Sequence, residues 1–154
     1  MKLTNQPAWN ETSDTLNLKF SIQVPAFGLR QGRYMILPAA VFETNRSYLF
    51  QSLERKYPID LHYPYKRLDK ITIRIPAGFK VEALPEDRQA TRSYGNYGVS
   101  CRRKGDQIVV MRHMVMNKSF FGVNTYPDLR QFFAAMRVGD RQQVLLDEVQ
   151  SAAH

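Results

Sequence analysis

The chain has one cysteine, Cys101, and three histidines, His62, His113 and His154, in 154 residues. A single cysteine excludes an internal disulfide and any CxxC pair for zinc or redox work. A zinc site needs three or four converging ligands, commonly His or Cys at short spacing, and these scattered singles do not supply them. No metal or cofactor is expected. Glu86 and Asp87 stand in a turn, where carboxylates are more often solvated than gathered on a cation. Long apolar runs are missing too: none approaches the roughly 18 residues of a membrane span. The polar start "MKLTNQPAWNETSD" lacks the apolar centre of a signal peptide. The expectation is a soluble chain without membrane insertion and without an address of its own; for an excised domain, that says nothing about the parent. There is no glycine-rich phosphate loop, since the glycines of "GNYG" read as a strand turn with no helix behind them.

What is present describes a compact domain. The 44% hydrophobic and 23% charged content suits a globular fold of ordinary size, with residues 1–154 as one domain. Lys and Arg number 22 against 14 Asp and Glu, a net charge of +8. Between Lys66 and Lys118 there are twelve basic and five acidic residues, so +7 of that surplus lies in this stretch. A field of this sign attracts an anionic polymer or an acidic partner surface.

The patterning is mostly that of strands. "TLNLKFSIQV" puts Leu16, Leu18, Phe20, Ile22 and Val24 on one parity, the period of a half-buried strand. "GRYMIL" before Pro38 reads as a second strand and "RSYLF" as a short third. In "RKYPIDLHYPYK", Pro58 and Pro64 remove backbone donors and favour extended conformation at Tyr57 and Tyr63, which suits a crossover. There Tyr57 is expected to support stability and His62 to be a bystander. "DKITIRIPAGFKVEAL" alternates around Pro76 and Gly78, a spacing that fits a type II turn and a bend or hairpin.

"QATRSY", "YGVSCRR" and "QIVVMRHMVM" read as a meander joined through Gly95–Asn96 and through "KGD". The last of these is apolar on both parities, as a central strand covered on both sides would be. "TYPDLRQFFAAMRVGD" carries Leu129, Phe132, Phe133 and Met136 at helical spacing, with Thr125 as N-cap and Gly139 as stop. Burying those four side chains contributes roughly 6 to 12 kcal/mol before entropy, at about 1.5 to 3 each. "QQVLL" adds an edge strand, and residues 1–14 and 147–154 are expected to be flexible. The fold class is mainly β, formally α+β: an antiparallel β-sandwich with one C-terminal amphipathic helix covering a sheet.

Catalysis by Cys101 would require a histidine and an orienting Asp or Asn beside it. In the simplest register Cys101 faces Val109 rather than His113, and it shares parity with Tyr97 and Val99, so it reads as a core thiol. No catalytic residue is assigned. The functional alternative from a different class is a free-standing module that binds an anionic polymer, nucleic acid or acidic polysaccharide, through Arg102, Arg103, Lys104 and Arg112. "YGNYGVSCRRKG" matches an RNA-recognition sheet poorly, because the basic residue does not precede the Gly-aromatic core and βαββαβ order is lacking, which disfavours nucleic acid.

Several features occur in a telling order: Arg55, Tyr57, Pro58; Pro76, Gly78, Phe79; Leu84, Pro85; Tyr94, Tyr97; and Tyr126, Pro127, Leu129, Arg130, Phe132. Over residues 50–146 this order resembles the C-terminal β-rich domain of unknown function of bacterial transglutaminase-like proteins, with a weaker echo at Gly32 to Pro38. The resemblance implies an accessory domain whose partner is the papain-like core of the same parent chain. It also implies a parent exported to the periplasm or cell envelope. The Cys-His-Asp constellation of that core is not found in this sequence, so no catalytic role carries over to Cys101.

Overall fold

The computed structural model describes residues 2–12, 14–43 and 49–149. In chain order the strands are β1 (Lys2–Leu3), β2 (Ala8–Thr12), β3 (Thr15–Lys19), β4 (Ile22–Gln23), β5 (Leu29–Gln31), β6 (Tyr34–Pro38), β7 (Ile59–Asp60), β8 (Tyr65–Arg74), β9 (Phe79–Ala83), β10 (Arg88–Arg92), β11 (Gly95–Lys104), β12 (Gln107–Met116) and β13 (Phe120–Phe121). Helix α1 (Tyr126–Asp140) follows a short 3-10 turn, and β14 (Gln143–Glu148) closes the described chain.

Two four-stranded antiparallel sheets carry the architecture, in the orders β10-β11-β12-β8 and β5-β6-β14-β9. They share one core. Val99, Cys101, Ile108, Val110, Met114 and Met116 enter it from the first sheet, Leu37, Val144 and Leu146 from the second, and Leu129, Phe132 and Phe133 from α1. The helix lies over β10 and β11. Small pairs β1-β4, β2-β3 and β7-β13 complete the strand pairing. The fold is therefore mostly β and antiparallel with one C-terminal helix, as the alternation in the sequence implies.

Several local expectations are corrected. β10 turns into β11 through Ser93 and Tyr94, with Arg92 paired to Gly95, so Gly95 and Asn96 belong to the strand. Gly95 serves close approach: a Cβ there would sit 2.4 Å from the Val115 carbonyl oxygen. The next connection is the two residues Gly105 and Asp106, with Lys104 opposite Gln107, which sets Cys101 against Val110 rather than Val109. Gly105 supplies the left-handed backbone this turn needs, at φ +61°. The Pro76–Gly78 turn, closed by the Phe79 N–H donating to the Pro76 carbonyl at 3.2 Å, is a bend that moves the chain from one sheet to the other.

β12 is central, but only one of its faces is fully covered: Ile108, Val110, Arg112, Met114 and Met116 are buried, and Met111 behind them is 48% exposed. β14 lies between β6 and β9 and is not an edge. Gly139 lies within α1 rather than after it, and a Cβ there would meet the Tyr97 Oη at 2.4 Å. Thr125 is the N-cap residue of α1, as expected, but its hydroxyl makes no capping bond and donates instead to the Gly122 carbonyl at 2.8 Å. The strand expected over residues 15–24 breaks at Phe20 and Ser21, and Leu16 and Leu18 are exposed instead of half-buried. Residues 2–3 and 8–12 form strands, and β14 runs to Glu148. "RSYLF" lies largely outside the described residues, as do residues 150–154 with His154.

Candidate functional site

The residues able to do chemistry are spread over both faces of the β10-β11-β12-β8 sheet and the crossover that precedes β8. Cys101 is buried on the core side. Burial pushes its thiol up to about 11, the nearby Arg102 charge opposing and Asp87 adding to the rise. A thiol held this high is almost wholly protonated at neutral pH and a poor nucleophile. His113 points to the opposite side of the sheet, where it packs over Gly98. The sheet itself therefore separates the two. His62 is exposed, at φ +70°, with its N–H donating to the Asp60 Oδ1 at 2.7 Å in the crossover. In that crossover Ile59 is the buried anchor, whereas Tyr57 is 77% exposed, which corrects the weight placed on Tyr57.

The core side also holds a dense charge cluster. Arg112, its side chain 3% exposed, donates from Nε to Asp140 Oδ1 at 2.7 Å and from Nη2 to Asp140 Oδ2 at 2.9 Å. Its Nη1 reaches Asp69 Oδ2 at 3.1 Å, and its guanidinium lies 5.5 Å from the Tyr97 ring centroid. The Tyr97 hydroxyl donates to the same Asp140 at 2.9 Å, while Arg67 bridges Asp69 at 3.1 Å and Glu43 at 2.7 Å. Burial opposes the Arg112 charge, but the hydrogen bonds and attraction of Asp140 outweigh it, and its pKa rises further. Tyr97 is held protonated, first by burial and then by the Asp140 carboxylate. Every donor of this group that the structure pairs is spent on a neighbour, so the cluster fixes β8, β12 and the end of α1 to one another.

Of the four basic residues proposed for anion binding, Arg112 is on this buried side. Arg102 and Lys104 share the outer face of β11, with Arg102 donating to both oxygens of Asp87, and Arg103 has the other parity and donates to the Gly105 carbonyl at 3.0 Å. The structure does not bring the four together. What sequence reading missed is the whole outer face. Lys66, Leu68, Lys70, Thr72 and Arg74 of β8 lie beside Gln107, Val109, Met111, His113 and Val115 of β12, and Arg102 and Lys104 of β11 complete it. The five charges on this face are all basic, and its centre is apolar, with Leu68 64% exposed. The even-numbered residues of "YKRLDKITIR" carried that signal.

A second exposed apolar region lies at the β2-β3 hairpin, where Trp9 and Leu18 line a groove of about 510 Å³ together with Leu3, Gln6, Pro7 and Phe20 from the flanking chain. Among the described residues no group of three His, Cys, Asp or Glu side chains is placed to hold a metal ion, and no helix is long and apolar enough to cross a membrane.

An antiparallel β domain with one covering helix and an internally paired charge cluster defines the class. The chain belongs to the family described as a "Domain of Unknown Function with solved-structure structure" (DUF3858), whose profile matches residues 33–146. Its fold is similar to part of a crystal structure from Parabacteroides distasonis described as a "putative protease", with a TM-score of 0.56 at 15% sequence identity. The likeness covers 74% of this chain and 23% of that one, so the chain corresponds to about a quarter of its length. No curated protein matches the chain.

Proposed function

We propose that the chain is a non-catalytic accessory domain that packs against, or presents substrate to, a transglutaminase-like or protease-like core in a larger bacterial protein. The observation that carries this reading is the likeness to a quarter of a longer protein described as a "putative protease". The buried Cys101 thiol, separated by the sheet from His113, agrees with it. Sequencing the reading frame around these codons tests it. A papain-like core encoded on the same polypeptide is the expected result; a frame that encodes these residues alone overturns it.

The basic outer face supports a second reading, a module for an acidic polysaccharide. Among the described residues it carries no Phe, Tyr or Trp side chain on which bases could stack, which sets it apart from single-strand nucleic-acid binders. Heparin binding that weakens steeply with salt, and is lost on Lys66→Glu with Lys70→Glu, would favour this second reading.

A further inference from the structure

The β2-β3 hairpin is exposed over all ten residues, yet one of its faces is apolar. Trp9 pairs with Leu18 and Glu11 with Leu16, so these four side chains share a face, while Lys19 pairs with Ala8 on the other. Trp9 is 75% exposed. The charges beside the apolar face are acidic: Glu11 on it and Asp14 in the turn, neither in an ion pair among the described residues. An isolated two-stranded hairpin is marginal in water, and a stable one needs its apolar face covered.

The outer face of the large sheet is the opposite surface in charge and alike in polarity. Leu68 and Met111 stand exposed among Lys66, Lys70, Arg74 and Lys104, none of which is ion-paired among the described residues. A hairpin strand of five residues is about 17 Å long and β8 about 33 Å, at about 3.3 Å per residue, so the smaller face fits within the larger. We propose that the hairpin of one copy docks on the outer sheet face of a second copy. Trp9, Leu16 and Leu18 then cover Leu68 and Met111, and Glu11 and Asp14 meet the lysines. A two-fold axis makes the exchange reciprocal and closes the assembly as a dimer.

Sedimentation velocity of the 154-residue chain over a concentration series, at low and high salt, reads the association. The single tryptophan, Trp9, is a built-in reporter. The expected result is a dimer that weakens with salt and whose formation moves Trp9 emission to the blue. Glu11→Lys with Asp14→Lys, and separately Lys66→Glu with Lys70→Glu, each weaken association by at least roughly tenfold, as charge reversal at a complementary interface does. An equimolar mixture of the two variants restores it, because the reversed hairpin meets the reversed sheet. Three results overturn the proposal: a wild-type monomer with solvent-like Trp9 emission at every concentration, a dimer indifferent to either reversal, or natively folded variants that fail to associate when mixed.

Discussion

Arg112 shows how far a side chain's role depends on its register. The sequence places it among exposed basic residues, yet its parity on β12 turns it inward to Asp140 and Asp69. Arg112→Met is expected to destabilise the fold by about 3 to 5 kcal/mol, because it leaves buried carboxylates without a cation. Urea denaturation measures this, and Arg102→Met, at an exposed pair with Asp87, is expected to leave the midpoint in place. Stability should also have a plateau in pH. Hydrogen bonds from Tyr94 and Arg92 depress the Asp128 pKa, and the Arg33 hydrogen bond depresses that of Asp147. Groups lowered in the folded state stabilise above their unfolded value of about 3.9 and lose that contribution as pH falls through the folded value. Cys101, raised to about 11, acts in the opposite sense: its contribution is complete below its unfolded value of about 8.5 and is lost as pH rises toward 11. Denaturation midpoints should therefore fall below about pH 4 and again above about pH 9, and Cys101→Ser should soften the alkaline fall.

At the scale of elements, the sequence was most readable where periodicity was strongest. "KITIRI" and "DLRQFFAAM" placed β8 and α1 correctly, since alternation and 3.6-residue spacing both report a buried face directly. Connections were harder. Gly95 and Gly139 look like turn and stop signals, but both exist to let another chain segment approach, and only the folded neighbours reveal that. The rank of β14 was hidden for a similar reason: "QQVLL" is short, and its central position depends on β6 and β9, which arrive from distant parts of the chain. If β14 is central, Leu146→Ala should cost about 2 to 5 kcal/mol, as for a fully buried leucine. Gly139→Ala should cost about 1 to 3 kcal/mol by forcing Tyr97 away from the helix. Thermal or urea unfolding checks both, and a loss near zero at Leu146 would contradict its place in the core.

For the whole molecule, charge was legible as a total but not as a surface. The sequence located the basic surplus between Lys66 and Lys118, while pairing took Arg112 into the interior, held Arg67 half-buried, and left Lys66, Lys70 and Arg74 on an open sheet face. The lone cysteine was read as a core thiol from its parity, and the fold places it there. On the proposed reading, this domain performs no chemistry itself and serves a core elsewhere. The most direct measurement is turnover by the purified chain in casein hydrolysis and in amine incorporation into glutamine-bearing protein, compared with its Cys101→Ala variant. Background rates, identical for the two proteins, are expected; turnover that disappears with Cys101→Ala would overturn the proposed role.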